Sequence, residues 1–493
     1  MPGAKFTIGI DLGTSNCAVA FADLSGGKVH DFPVYQLQRE GQAGNAALLP
    51  SALYAPTPDE SSSGALQLAG LEQGAWIVGQ FARWRGARVP GRLITSAKSW
   101  LCHTGVDRGA PILPWGGAAD VSKISPVAAS GLLLRHMRLA WDRQHPGTPM
   151  AEQEVVITVP ASFDEVARGL TVSAAREAGL EHFTLLEEPQ AAFYHFSQRH
   201  QKRLGEKLEN VRLVLVVDVG GGTTDFTLVQ VAPSPDGPLL KRIAVGDHLI
   251  LGGDNMDTAL ARRAEEKLKG RKLSTAQWIQ LVQAAREAKE ALLGVNAPLE
   301  SRIALAGEGS KLLGGTISAT LTREEVESLI LDGFMPRTRD LPSKAQRTGI
   351  QELGLPYVAE PAITRHLAAF LHKHSKSAFE ALGYEAEQGL PRPDAILLNG
   401  GVFNSTRLSE RLLDVVSSWW PDRRPVEVLA HDNLDLAVAR GAAAYGLVRH
   451  GQGRRISGGT AHSFYLGLAP EKGEATNASI CLIPRGLEEG ESV

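Results

Sequence analysis

Cysteine is scarce in this 493-residue chain: Cys17, Cys102 and Cys481 are its three cysteines, and no two form a Cys-x-x-Cys pair. That excludes a disulfide framework and a sulfur-ligated zinc site, and it fits a reducing compartment. Charge of one sign is also missing. With 51 Lys and Arg against 54 Asp and Glu, the net charge of -3 argues against bulk electrostatic binding of nucleic acid. No apolar run reaches membrane length, and Met1 to Thr7 leads straight into a strand without an apolar leader, so cytoplasm is the default expectation. Apolar and charged contents of 43% and 21% are those of a soluble globular protein. The length suits about three domains, or one large two-lobed unit with an appendage.

What the chain does have is one pattern used twice. Ile8-Gly-Ile-Asp-Leu-Gly-Thr-Ser-Asn16 and Val216-Val-Asp-Val-Gly-Gly-Gly-Thr-Thr-Asp225 each run from an apolar strand through an Asp into a Gly-rich turn with hydroxyls. A second strand follows each, over Cys17 to Phe21 and Phe226 to Val231. A hairpin of this kind exposes backbone N–H groups that cradle a phosphate, while its Asp faces a hydrated cation. Two copies opening two halves of a chain predict a duplicated, two-lobed fold that grips one polyphosphate from both sides, with paired carboxylates near one metal.

Between and after the hairpins the elements fall into an α/β order. Ala47 to Tyr54 reads as one strand and Glu60 to Gly64 as a surface turn. Ile124 to Trp141 has helical periodicity, Glu154 to Pro160 is a buried strand closed by its proline, and Asp164 to Ala178 is an amphipathic helix capped by Asp164. Thr184 to Pro189 is a short strand leading into a helix over Gln190 to Arg199, which completes a first lobe at 1–200. In a second lobe at 201–450, Asp254 to Leu293 is strongly helical, and Thr322-Arg-Glu-Glu325 is a capping box. There Ala395 to Gly401 is a buried strand ending in a double glycine, followed by helices over Ser405 to Trp420 and Leu434 to Val448. Residues 451–462 read as a linker. Two further strands, Ser463 to Leu468 and Ser479 to Pro484, open an incomplete β-rich unit at 463–493, since two strands alone rarely stand as a domain.

In order along the chain, Ile10-Asp-Leu-Gly-Thr14, Ile157-Thr-Val-Pro-Ala161, Glu188-Pro-Gln-Ala-Ala192, Asp218-Val-Gly-Gly-Gly-Thr223 and Leu398-Asn-Gly-Gly401 resemble motifs of one family. It is the nucleotide-binding domain of the seventy-kilodalton heat-shock chaperones, the DnaK family, within the actin and sugar-kinase superfamily. The resemblance spans roughly residues 5 to 450, and ordered matches are far more specific than a single Gly-rich turn. It implies a two-lobed actin-like ATPase fold of duplicated ribonuclease H-like lobes with a helical subdomain, followed by a short β stub. Ile480-Cys-Leu-Ile-Pro-Arg485 is similar to the early strands of the family's peptide-binding sandwich. The resemblance further implies ATP/ADP and Mg²⁺ as ligands, slow hydrolysis, and a nucleotide state that sets lobe closure. For a full-length protein it implies client polypeptides, a J-domain co-chaperone and a nucleotide exchange factor as partners, with no nucleic acid or membrane, and a monomeric chain.

Asp11 and Asp218 are the candidates for holding hydrated Mg²⁺, mostly through water, together with Glu188, whose neighbour Pro189 fixes its backbone. Glu187 competes for that last role. Gly13, Thr14, Ser15 and Asn16 on one side and Gly220, Gly221, Gly222 and Thr223 on the other are expected to bind phosphates. Lys98 sits where the family has a lysine reaching the γ-phosphate. It completes a catalytic set with Glu188, Asp218, Thr223 and Asp225, the last of which orients water or caps its turn. At the nucleoside, Gly400 and Gly401 allow close approach beside Val402, Asn404 and Asp435, faced by Glu287, Lys289 and Glu290 on a helix.

The chain departs from the family here. Val402-Phe-Asn404 replaces Ser-Thr-Arg, so stacking by a guanidinium is lost. Arg286 stands for a Glu, Leu293 for a Ser, and Gln190 for a Thr. The linker Arg454 to Thr460 carries one large apolar residue where the family has a Leu-rich docking segment, so docking is not expected. Pro160 matches a relay proline, or simply ends its strand. Trp419 and Trp420 are expected to be packing residues. Three other readings stay open: a nucleotide-gated module with little hydrolysis, a small-molecule kinase of the same superfold, and an actin-like filament former.

Overall fold

The architecture comes from a computed structural model, which describes residues 3–71, 74–89, 91–103, 105–235, 237–247, 249–268, 273–305, 317–342, 351–352, 355–356, 358–384, 389–457, 463–467, 479–484 and 487. Two six-stranded sheets organise it. The first contains β1 (Phe6–Asp11), β2 (Asn16–Asp23), β3 (His30–Asp31), β4 (Leu48–Pro50), β5 (Glu154–Val159) and β6 (Phe183–Glu187), in the order β6-β5-β1-β2-β3 with β4 also on β2. The second contains β7 (Leu213–Val219), β8 (Thr224–Ala232), β9 (Leu239–Val245), β10 (Ala395–Asn399), β11 (Glu427–Leu429) and β12 (Ile456–Ser457), in the order β11-β10-β7-β8-β9-β12.

The two sheets repeat one plan. β1 and β2 form an antiparallel hairpin, and β5 lies parallel to β1 on its other side. β7 and β8 form the matching hairpin, and β10 lies parallel to β7. Each Gly-rich turn is therefore the tip of a central hairpin, flanked by a parallel strand whose end opens beside it. The repeated pattern in the sequence corresponds to a repeated topology, and the fold is the two-lobed actin-like one.

Every residue of β7, Leu213-Val-Leu-Val-Val-Asp-Val219, is buried. Such continuous burial marks a strand covered on both faces. Alternate side chains serve two cores: Leu213, Leu215, Val217 and Val219 pack with α4 (Gly253–Lys267) and α5 (Thr275–Leu292), while Val214 and Val216 pack with α3 (Glu188–Arg199). Two earlier helices, α1 (Pro126–Gln144) and α2 (Glu165–Glu177), cover the first sheet. Ser125 caps α1 and Asp164 caps α2, each accepting from the N–H three residues on. Later, α6 (Thr406–Ser418) covers the second sheet, and α7 (Ala437–Arg449) returns to pack on α3 and on β1, β2 and β5. A Cβ at Gly441 would overlap the Ala191 carbonyl, so only glycine lets these two helix backbones meet.

Several elements differ from the sequence reading. Ala47 to Tyr54 is two strands, because β4 pairs with β2 while Ala52–Tyr54 pairs with Ile77–Val78 and Leu93–Thr95 in a separate small sheet. The expected surface turn at Glu60 to Gly64 is largely helix Pro58–Ser62, opened by a capping box between Thr57 and Glu60. The helical stretch Asp254 to Leu293 divides, and Ser274 with Gln277 caps the second piece. Trp419 and Trp420 donate their indole N–H groups to the carbonyls of Thr338 and Leu390, which makes them packing residues.

The linker corrects an expectation. Its one large apolar residue, Ile456, is buried, and Ile456–Ser457 joins the second sheet parallel to Leu240 and Lys241. The Ile456 N–H donates to the Tyr194 hydroxyl of α3 at 2.9 Å. One residue suffices because backbone pairing along an open sheet edge supplies what a Leu-rich stretch would supply by burial. Tyr194→Phe removes that acceptor, so hydrogen exchange at the Ile456 amide is expected to rise by the equivalent of about 1 kcal/mol. Unchanged protection would show that the tyrosine does not hold the segment. Beyond the linker, Phe464–Gly467 pairs antiparallel with Ser479–Ile483. Among the described residues no helix is long and apolar enough to cross a membrane.

Candidate functional site: a cleft between the two hairpins

The tips of the two hairpins face each other across a cleft of about 730 Å³. A Cβ at Gly221 would overlap the Ser15 hydroxyl, and one at Gly222 would meet Thr14 and Ser99 at 2.7 Å, so the turns lie against each other. Both turns are braced through their carbonyls. Ser51 donates its hydroxyl to Gly13 at 2.6 Å and its N–H to Ser15 at 3.0 Å. The first N–H groups of α4, at Gly253 and Asp254, donate to the Gly220 and Gly221 carbonyls at 3.0 and 2.7 Å.

Of the residues singled out in the sequence, the cleft wall includes Asp11, Gly13, Thr14, Ser15, Asn16, Lys98, Glu188, Asp218, Gly220, Gly221 and Thr223. On the nucleoside side it includes Glu287, Lys289, Glu290, Gly400, Gly401, Val402, Asn404 and Asp435. Gly222 and Asp225 lie outside the lining. Gly222 is packed against the first hairpin, and Asp225 is buried with its carboxylate accepting from the Ser162 hydroxyl.

Position in the fold separates the two adjacent glutamates. Glu187 ends β6 and forms a buried ion pair with Arg242, whereas Glu188 begins α3, lines the cleft and pairs with Lys98. Pro189 in the first helical turn is preorganised for the helix and fixes where that carboxylate starts. Lys98 comes from the short helix Ala97–Trp100, whose preceding residue Ser96 has a left-handed backbone (φ 54°) and donates across the cleft to Asp254 at 3.1 Å.

Four carboxylates, those of Asp11, Glu188, Asp218 and Asp225, act on one another around a single lysine. Burial, then the nearby Glu188 carboxylate, pushes Asp11 up to about 7, although Lys98 and a 3.2 Å hydrogen bond from Thr158 oppose the shift. Burial and Glu188 also hold Asp218 well above the ordinary range, against a 2.7 Å hydrogen bond from Asn399. Asp225 is raised to about 6 by burial. Burial disfavours the Lys98 ammonium, but Glu188 and Asp11 outweigh it and keep its pKa above the usual lysine value. Among the described residues no three His, Cys, Asp or Glu converge as direct metal ligands. With neither Cys nor His in the wall, its possible metal ligands are oxygens, carboxylates foremost, which suits a hard cation that retains its water, as Mg²⁺ does. The Ser15 hydroxyl and the Asn399 amide oxygen are buried with no hydrogen-bond partner among the described residues, which leaves one hydroxyl to donate to a phosphate or a water and one amide oxygen to accept from a water.

A carboxyl with a raised pKa binds more protons folded than unfolded, so between about pH 4 and 7 its contribution to stability falls as pH rises. Asp11→Asn removes that burden. In metal-free protein it is expected to raise the melting temperature at pH 8 and to have little effect at pH 4, a difference of at most about 4 kcal/mol. Equal effects at both pH values would show that Asp11 ionises normally.

The end of the cleft expected to meet a nucleoside is differently built. Asn404 donates to Asp435 at 2.9 Å, Lys289 pairs with Asp257 at 2.6 Å, and Arg286 pairs with Glu290 at 3.1 Å. Sequence reasoning missed Arg83, Asp254 and Asn399. Arg83 lines the cleft and donates to the Ser15 carbonyl and to the Asn16 side chain at 3.1 Å; burial and Arg286 push its pKa down to about 10. No local pattern distinguishes it. Asn399 was within view, as a polar residue closing the apolar run Ala395 to Leu398.

Comparison with known proteins gives a consistent picture. The family described as "Hsp70 protein" matches residues 116–347. A "Chaperone protein HscA homolog" of Bordetella pertussis is 31% identical over 355 residues, covering 70% of this chain and 49% of that protein. One of the same name from Methylococcus capsulatus is 31% identical over 359 residues, covering 70% and 50%. Another from Acinetobacter baumannii is 32% identical over 206 residues, covering 42% and 30%. The chain thus spans about half the length of the Bordetella pertussis and Methylococcus capsulatus relatives.

Proposed function

Because this chain belongs to the Hsp70 family of chaperones, we propose that its cleft binds ATP with Mg²⁺ and hydrolyses it slowly, nucleotide state setting lobe closure. The observation that carries the reading is the convergence of both hairpin tips, Asp11, Glu188, Asp218 and Lys98 on one cleft. Mg²⁺, held through water by these carboxylates, would neutralise phosphate charge and align the transferring group.

The chain's own residues supply the rest. Turn N–H groups at Gly13 to Asn16 and at Gly221 and Thr223 cradle the phosphates from both lobes. Lys98 offsets the charge that develops on the γ-phosphoryl group, in a site where burial strengthens its effect. Glu188, fixed by Lys98 and by the start of α3, accepts a hydrogen bond from the attacking water and orients it for in-line displacement. Asp225, braced by Ser162, fixes the turn that carries Thr223. The base rests against Val402 and Leu293 beside the Asn404–Asp435 pair. Without a guanidinium to stack on it, adenine is held less tightly than the phosphates.

For the full-length protein we propose client polypeptides, a J-domain co-chaperone and an exchange factor as partners. A monomer in the cytoplasm, without nucleic acid or membrane as ligand, is the corresponding state. The missing stacking arginine favours one second reading, a nucleotide-gated module that hydrolyses very little. Single-turnover release of phosphate from Mg·ATP, with nucleotide binding titrated in parallel, separates the two. Slow stoichiometric release supports the ATPase, binding without release supports the module, and absence of binding would reject both.

A further inference from the structure

Resting on the ATPase reading above, we propose that Asn399 is a positioning residue of the metal side of the cleft: its amide nitrogen fixes Asp218, and its amide oxygen receives a water of the hydrated cation. Asn399 ends β10, and the parallel register sets it directly beside Asp218 of β7. It is 1% exposed, lines the cleft, and donates from Nδ2 to Asp218 Oδ2 at 2.7 Å. With Asp218 ionised, as its role beside a cation requires, the carboxylate only accepts, so the nitrogen of the amide faces it and the oxygen turns away. That oxygen is buried and has no hydrogen-bond partner among the described residues.

A purely structural role explains this poorly. The four residues before it, Ala395-Ile-Leu-Leu398, are apolar and buried, and a fifth apolar residue would end the strand without leaving a buried acceptor unsatisfied. The other side of Asp218 is bounded as well, since a Cβ on Gly400 would come within 2.7 Å of Oδ1. Asp218 is therefore held on Oδ2, and the Gly400 backbone lies close beside Oδ1. Partners that orient a metal site from behind typically contribute about 10–100-fold in metal affinity or activity.

The test uses the whole chain, with Mg²⁺ as the titrant in ATP binding and phosphate release, and Mn²⁺ as a spectroscopic probe of metal binding. Asn399→Leu, similar in shape but without donor or acceptor, is expected to raise the half-saturating Mg²⁺ concentration about 10–100-fold while nucleotide binding without metal stays parental. In an Asp218→Asn background the same change is expected to add little, because both act through one carboxylate. Should Asn399→Leu not fold, Asn399→Val suits a buried strand and carries the same expectation. Parental Mg²⁺ dependence in the folded variant, or full additivity with Asp218→Asn, would overturn the proposal. A parent chain that binds no Mg·ATP would instead overturn the ATPase reading and this inference together, so the two failures are told apart by the parent alone.

Discussion

Lys98→Ala is expected to slow phosphate release from Mg·ATP by roughly 10²–10³-fold, the usual loss when a preorganised group that stabilises transition-state charge is removed. Nucleotide binding is retained, since the two hairpins remain. Lys98 is the partner of Glu188 and its charge favours the ionised form of Asp11. Its removal leaves a buried carboxylate without compensation, which costs about 3–5 kcal/mol at neutral pH. The variant is therefore expected to melt well below the parent at pH 8 and to recover as pH falls and the carboxyls take up protons. Measuring release at a temperature where the variant is folded separates chemistry from stability. Parental release from a folded Lys98→Ala protein would remove Lys98 from the mechanism.

The second large effect belongs to Gly400. Its backbone, φ 88° and ψ 149°, lies in a region open essentially to glycine, and forcing another residue there costs about 1–3 kcal/mol. A Cβ would also overlap the Val219 carbonyl and press on Asp218. Gly400→Ala is expected to lower the melting temperature and to abolish Mg·ATP binding, because the carboxylate it displaces lines the cleft together with both Gly-rich turns. Gly401→Ala is the control: its nearest non-neighbouring atom, the Asp435 carboxylate, is 3.4 Å away, an ordinary contact. Loss of stability in the control and not in Gly400→Ala would mean that the crowding lies on the nucleoside side instead.

Much of the cleft wall was legible because it is made of local pattern. A hairpin tip needs glycine and hydroxyl residues next to a strand, and that requirement is written in adjacent positions at Asp11 to Asn16 and Asp218 to Asp225. Caps at Asp164 and Thr322 were legible for the same reason, as side chain and N–H are three residues apart. Partners far apart in the chain were not. Arg83 reaches Ser15 across 68 positions and Asn399 reaches Asp218 across 181, and neither pairing leaves a trace in its own neighbourhood. The docking of Ile456 was misread because apolar content reports burial, whereas this segment is held by backbone pairing and a tyrosine hydroxyl.

By itself the sequence determined that two Gly-rich hairpins exist and that they belong to one duplicated α/β fold, because hairpin chemistry and strand burial act over a few neighbouring residues. The tertiary structure alone decided which glutamate faces the cleft. Glu187 and Glu188 are adjacent and chemically alike, and the end of a strand beside Arg242 and the start of a helix beside Lys98 send them to opposite fates. It also decided the charge of the site, since burial and mutual repulsion among Asp11, Glu188 and Asp218 arise only when three distant segments are folded into one low-dielectric space.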